Sequence, residues 1–438
     1  MRTSILLAMW ALVACGDDSA AASEDAGRAD SGALDAALDG SQDAAVTRDA
    51  GVDAAADATV ADVPPPPRMP IDVALDRLGD EASAAAVDAE VEAGGGWPLV
   101  EGTRALFVTR WEGPPSAVSW VGTSNEFTPG VDVAASLGAF HFVVVEGAEG
   151  KYKWHAGEEF RAPAEARRYG YDEFGEHGWV GAPEEEHYER YRFAEHVVRA
   201  RVAGATMTRV LVLHDGQNVF SPEAPFGGWD VSGALRAMEV DDVLAISIDN
   251  TLERMQEYTH VGDDPFGDGT LIGGDADAYL RLVFEVYVPR VAGAHDLDAA
   301  PLAMAGSSLG GLVSLYAALR YEPVAVAALS PTLGWGAYVA DGTECIQALH
   351  DTRREVAIYL DSGGGGSCAD FDGDGIQEDA DDSDNYCVTT AYRDHLASLG
   401  YEFGADLVHW HEPGAPHNEG AWRARVPRML ESLDAMGW

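Results

Sequence analysis

The chain has 438 residues, room for two domains beside any tail, and its 47% hydrophobic content with 11 Trp is that of a globular protein. It carries 74 Asp and Glu against 28 Lys and Arg, a net charge of −46. A surface that negative repels phosphate backbones, which argues against nucleic acid as a partner and for simple solubility.

The first element in chain order is an export signal. "MRTSILLAMWALVAC" places Arg2 before a short apolar core and small residues before Cys15, and the run is too short to span a bilayer. Its end, Leu12-Val13-Ala14-Cys15, resembles the bacterial lipobox. That resemblance implies a signal peptide over 1–15, lipid on Cys15 and a membrane anchor. Gly16 after the cysteine favours the outer membrane. An ordinary secretory signal with an incidental cysteine is the alternative. If Cys15 carries lipid, then Cys345, Cys368 and Cys387 leave one disulfide and one odd thiol.

Residues 16–70 are mostly Ala, Asp, Gly and Ser and end in "VPPPPR". They lack the large apolar residues needed to offset conformational entropy, so a disordered, charge-swollen tether is expected. From 71 to 195 the runs "RALFVTRW", "SAVSWVG", "AFHFVVVEG" and "KYKWHAG" alternate with turn residues and predict a β-sandwich. The pieces "AVSWVGTSNEF", "GKYKWHAG" and "RRYGYDEFGEHGWV" resemble the immunoglobulin-like E-set domain that precedes the catalytic domain in enterochelin-esterase-like proteins. Their aromatics read as core rather than as a sugar platform.

From 196 to 438 strands alternate with helices. "RVLVLHDG", "VLAISIDN", "APLAMAG", "AVAALSP" and "EVAIYLD" are buried-strand candidates, and "DAYLRLVFEVYVPRV" has helical spacing. The alternation predicts a mostly parallel sheet with helices on both faces. Within it, Gly306-Ser307-Ser308-Leu309-Gly310 matches G-x-S-x-G between a strand and a helix. The sharp turn of such an elbow tolerates no side chains two residues either side of the central serine, and it lifts Ser308 Oγ above the sheet. A serine hydroxyl needs a base. His417, in the Gly/Pro loop "PGAPHNEGAW", follows in the expected chain order, while His409 and His411 on "DLVHWH" read as structural.

"LHDGQNVF", "GSSLGG" and "GAPHNEGAW" together resemble the putative esterase family, which includes enterochelin esterases and microbial feruloyl and acetyl esterases. The resemblance implies an α/β-hydrolase fold and a serine carboxylic-ester hydrolase that needs no cofactor for catalysis. It makes Ser308 the nucleophile and His417 the general base. The oxyanion donors are then the amides of Leu309 and Gln217. The acid of the family precedes the helix that begins near Asn385, which favours Asp384, with Asp361 at the end of "EVAIYLD" as the alternative. Trp229, Arg254 and Trp335 are pocket candidates. The negative exterior favours a neutral small-molecule ester, an acylated carbohydrate or aryl ester, over a siderophore ester. A carbohydrate-binding lipoprotein without activity and an acyltransferase related to mycolyl transferases are the rival functions.

An acidic insertion over 362–384 interrupts this pattern. Asp370, Asp372, Asp374, Gly375 and Asp381 follow D-x-D-x-D-G spacing with a carboxylate at the twelfth position, and the Ile376 carbonyl can add a ligand. The segment resembles thrombospondin type 3 repeats and implies a structural calcium; a solvated acidic loop is the alternative. Cys368 and Cys387 bracket it and can close it as a disulfide; pairing of either with Cys345 is the other arrangement.

Overall fold

The computed structural model describes residues 68–184, 186–204, 207–221, 224, 227–337, 343–370, 378–380 and 384–438. The expected signal peptide, Cys15 and nearly all of the tether lie outside them. Among the described residues no helix is long and apolar enough to cross a membrane.

The sequence pattern predicts strands from residue 71 onward, but the described residues open with two helices, Ile71–Arg77 and Glu81–Ala93. Asp80 caps the second. Its carboxylate accepts from Ser83 N at 2.8 Å, and Ser83 Oγ accepts from the Asp80 amide at 2.9 Å. This reciprocal box satisfies amides that have no acceptor within the helix. Ala84, Val87 and Val91 then share a buried face that packs on Leu99, Leu106, Val108 and Phe142.

The strands that follow form two facing layers. One sheet holds Leu99–Glu101, Arg104–Arg110, Phe140–Glu146 and Ala135–Leu137. The other includes Ser119–Gly122, Gly150–Ala156, Gly175–Val180 and Arg168–Asp172. Phe107 of the first layer meets Tyr152 and Trp120 of the second, with ring centroids 4.8 and 5.2 Å apart. Trp120 and Trp154 are fully buried. These aromatics are core, as general burial habits predict.

The second layer continues beyond these strands. Arg168–Asp172 pairs with His187–Arg192, which pairs antiparallel with Val197–Val202, and that strand pairs with Val243–Ile248. From there the sheet is parallel, in the order Val243–Ile248, Arg209–His214, Leu302–Ser307, Ala325–Leu329, Ala357–Ser362 and Leu407–His411. Alternate residues enter opposite cores: Val210, Val212, Met304 and Ile358 on one face, Leu211, Leu213, Ala303 and Tyr359 on the other. Helices Leu309–Arg320 and Tyr386–Ser398 cover the first face, and Val231–Ala237 and Glu419–Ala435 the second. Burial on both faces explains the unbroken apolar runs of these strands. The turns at their carboxyl ends carry Ser308, the segment Gly216–Asn218 and His417.

Candidate active site

Strand Leu302–Ser307 leads directly into helix Leu309–Arg320 through Ser308. Ser308 has φ 55° and ψ −124°, outside the regions an L-residue ordinarily fills. Backbone bonds hold it there. Its amide donates to Leu329 O at 3.0 Å, and Leu312 N and Thr332 N donate to its carbonyl at 3.1 and 3.2 Å. Gly306 is required by contact: a Cβ at that position would lie 2.3 Å from the Gly310 carbonyl oxygen. Among the described residues the hydrogen-bond partner of Ser308 Oγ is Thr332 Oγ1, at 3.2 Å. The Leu309 amide, first in the helix, has no intrahelical acceptor and stands at the positive end of the helix.

Beside the elbow, strand Arg209–His214 ends in the turn Gly216–Asn218. Gly216 allows close approach, since a Cβ would sit 2.7 Å from the Ile248 carbonyl carbon. Gln217 Oε1 accepts from Asn250 N at 3.1 Å, which ties the turn to the next strand's exit. Asp215, at φ 56°, precedes the turn. Burial pushes its carboxyl up, but the Arg254 guanidinium and the Asn250 amide outweigh burial and hold it below the usual carboxylate range.

The structure gives the three expected pocket side chains internal partners. Arg254 is buried and binds Asp215 at two points, Nε to Oδ1 at 2.6 Å and Nη2 to Oδ2 at 2.9 Å. Trp335 is fully buried and donates from Nε1 to Val261 O at 2.8 Å. Trp229 is buried, its ring centroid 6.3 Å from that of Trp422. Each of the three is thus engaged by neighbours within the protein: Arg254 by a carboxylate, Trp335 by a backbone carbonyl and Trp229 by another indole.

His417 lies on the loop after strand Leu407–His411. Asn418 accepts from Ala421 N at 3.0 Å and starts helix Glu419–Ala435 one residue later, which leaves the His417 ring outside the helix. The ring stands edge-on to Trp422, with centroids 5.0 Å apart. Its Nδ1 lies 2.7 Å from Asp384 Oδ1. Asp384 Oδ2 accepts from Ser330 Oγ at 2.6 Å and from Gly363 N. Burial raises the Asp384 carboxyl, but the His417, Ser330 and Gly363 donors prevail and keep it below the usual range.

Of the two candidate acids, then, Asp384 meets the imidazole. Asp361 does not. Its Oδ2 accepts from Tyr359 OH at 2.9 Å, and its Oδ1 lies 3.3 Å from Arg425 Nε. Burial pushes Asp361 up to about 7 against the opposing pull of Arg425. His411 takes a structural role, with Nε2 3.0 Å from Gly364 O and its ring stacked on Tyr386 at 4.0 Å.

In the acidic insertion, Cys368 and Cys387 form a disulfide, with Cα atoms 5.5 Å apart, and Cys345 is buried outside it. Asp379 accepts from Tyr386 N and Cys387 N, each at 2.8 Å, and so caps helix Tyr386–Ser398. Of the expected calcium ligands, Asp370 is exposed, while Asp372, Asp374, Ile376 and Asp381 lie outside the described residues.

Sequence reasoning missed Ser330, Thr332, Gly363 and Arg425. Arg425 left a trace: it is a charged residue on the apolar stripe Trp422, Val426, Met429 and Leu433 of its helix. Ser330 left none.

A mostly parallel sheet covered by helices on both faces, with its polar loops gathered at the carboxyl edge, is an α/β-hydrolase-like fold. Among known families, the profile of the putative esterase family matches residues 202–433. The chain belongs to that family and is a hydrolase acting on esters. Similar solved structures include an enterobactin esterase from Shigella flexneri, 14% identical over 78% of this chain and 96% of that one, with a TM-score of 0.39. A ferric enterobactin esterase from Salmonella typhimurium is 15% identical over 77% and 96%, with a TM-score of 0.40. An IroE-like serine hydrolase from Shewanella oneidensis is 16% identical over 56% and 80%, with a TM-score of 0.42. No curated protein matches the sequence.

Proposed function

We propose that this chain hydrolyses a carboxylic ester by a serine mechanism. The observation that carries the reading is the 2.7 Å contact between His417 Nδ1 and Asp384 Oδ1, in a chain whose Ser308 occupies a strained strand-to-helix elbow. An ionised Asp384 accepts a hydrogen bond from Nδ1–H and leaves the lone pair of the neutral ring on Nε2.

In this reading Ser308 Oγ turns away from Thr332 and toward that lone pair. The contact it gives up, at 3.2 Å, is longer than the usual O–H···O bond of about 2.7–2.8 Å, so little is lost. Oγ attacks the ester carbonyl carbon as Nε2 takes its proton. The carbonyl π pair moves onto oxygen, where the Leu309 and Gln217 amides receive the negative charge. The tetrahedral species collapses, the C–O bond to the alcohol breaks, and the imidazolium returns its proton to the leaving alkoxide. Water then attacks the acyl-Ser308 ester with the same base, which releases the acid and restores the serine.

A neutral ester, an acylated sugar or aryl ester, suits the chain's charge, because anions are repelled from an acidic exterior. The same reading has the protein exported and tethered to a membrane by lipid on Cys15. The test is hydrolysis of p-nitrophenyl acetate by the wild type and by Ser308→Ala. The variant is expected to fall to the background rate; equal rates overturn the proposal.

A further inference from the structure

The reaction above uses Asp384 and His417 but not the buried polar cluster behind them. Ser330 is fully buried and has φ 45°. Its hydroxyl meets Trp422 Nε1 at 3.2 Å, Arg425 Nη2 at 2.8 Å and Asp384 Oδ2 at 2.6 Å. An indole N–H and a guanidinium donate only. Both must therefore give hydrogens to Ser330 Oγ and fill its two acceptor positions. Its single proton then has one place to go, Asp384 Oδ2. Gly363 N donates to the same oxygen. Oδ1 is left to accept from His417 Nδ1–H.

The donor order thus runs inward from Arg425 and Trp422 through Ser330 to Asp384, whose other oxygen faces His417 Nδ1. Asp361 faces Arg425 Nε at 3.3 Å, and Arg425 Nη1 lies 3.9 Å from Asp384 Oδ2. Asn385 Nδ2 donates to the Ser330 and Pro331 carbonyls at 2.9 and 3.0 Å. That clamp holds the loop that also carries Thr332, the partner of Ser308 Oγ.

We propose that Ser330, oriented by Arg425 and Trp422, is a positioning residue that aims the Asp384 carboxylate and so fixes the Nδ1–H tautomer of His417. The proposal rests on the serine-esterase reading above and adds a residue to it. Ser330 touches no reacting atom. All three of its hydrogen-bonding positions are filled, and its one proton is committed to the carboxylate that meets His417.

The test compares p-nitrophenyl acetate hydrolysis by wild type, Ser330→Ala, Ser330→Gly, Asp384→Asn and Asp384→Asn/Ser330→Ala. Ser330→Ala is expected to lower kcat about 30-fold with KM unchanged, the worth of one hydrogen bond to a charged group. Ser330→Gly suits the φ of 45° and relieves the backbone, yet it loses the same hydroxyl, so its kcat falls as far. In the Asp384→Asn background the second substitution changes the rate by less than about twofold, because the residues act as a unit. The proton NMR signal of His417 Nδ1–H moves upfield or broadens in both Ser330 variants. Full kcat in Ser330→Gly, or an undiminished effect of Ser330→Ala in the Asp384→Asn background, overturns the proposal. A dead Ser308→Ala beside a fully active Ser330→Gly removes Ser330 and leaves the serine mechanism standing; an active Ser308→Ala removes both.

Discussion

Arg254 grips Asp215 inside the protein with two parallel contacts of 2.6 and 2.9 Å, one residue before the turn Gly216–Asn218. The pair holds the left-handed Asp215 at the start of the turn that carries Gln217. Arg254→Met strands a buried carboxylate and should cost about 3–5 kcal/mol of stability. The double variant Arg254→Met/Asp215→Asn removes both charges and should recover much of that loss. Urea unfolding of the two variants measures the difference. Single and double variants of equal stability would show that the pair is not coupled. In p-nitrophenyl acetate hydrolysis, kcat should fall in both, because the turn loses its anchor.

The elbow glycines differ in what surrounds them. A Cβ at Gly306 meets the Gly310 carbonyl at 2.3 Å, and backbone on both sides cannot yield. A Cβ at Gly310 meets the His214 Cβ at 3.2 Å, a contact that small shifts relieve. Gly306→Ala should therefore destabilise by at least about 1–3 kcal/mol and abolish turnover, while Gly310→Ala stays below that and keeps activity. Thermal melts and rates of the two alanine variants check the ranking. The reverse order would mean that the strain resides in the helix and not in the turn.

Much of this was legible in the residues. The parallel strands appear as unbroken apolar runs because both faces are covered, and Ser308 is marked by Gly306, which the turn requires. His417 is marked by a loop that ends at the Asn418 cap. Asp384 required a helix start to be located, and the Asp379 contacts that cap helix Tyr386–Ser398 show why it begins where it does. Three things were hidden. Helix Glu81–Ala93 is rich in alanine, so its apolar face is faint, although Asp80 and Ser83 stand at capping distance. Arg254, Trp229 and Trp335 have the chemistry of pocket residues, and only three-dimensional packing shows that neighbours already occupy them. Ser330 is one serine among many until the fold sets it between Arg425, Trp422 and Asp384.

Acid should destabilise the fold before carboxylate protonation does. Burial lowers His214, His350 and His409 to about 4 each. In the unfolded chain a histidine titrates near 6.5. Between those values the unfolded state binds protons that the folded state refuses, so stability is full above pH 6.5 and is lost as pH falls toward 4. Asp361 works in the opposite sense. Its folded value of about 7 lies above the unfolded one, so it stabilises the fold as pH falls through 7. Three histidines outweigh one aspartate over this window, and the net prediction is a lower urea midpoint at pH 4.5 than at pH 7.5. His214→Asn should flatten the slope, since it removes one of the three groups. A midpoint that rises on acidification would mean that Asp361 dominates.

The disulfide Cys368–Cys387 spans a sequence separation of 19 between the exit of strand Ala357–Ser362 and the first turn of helix Tyr386–Ser398. Asp384 lies three residues before Cys387, so the bridge restrains the segment that presents the carboxylate to His417. A loop of this size is worth about 3 kcal/mol in the chain-entropy model. Cys368 is exposed, which gives a reductant access, while Cys387 is buried. Dithiothreitol should lower the Tm, and Cys368→Ser should reproduce that loss and respond no further to the reductant. Asp379 still caps the helix after reduction, so the helix stays while Asp384 loosens. The expected kinetic mark is a fall in kcat at constant KM. An unchanged Tm under reduction would place the restraint of Asp384 in Gly363 and Ser330 alone.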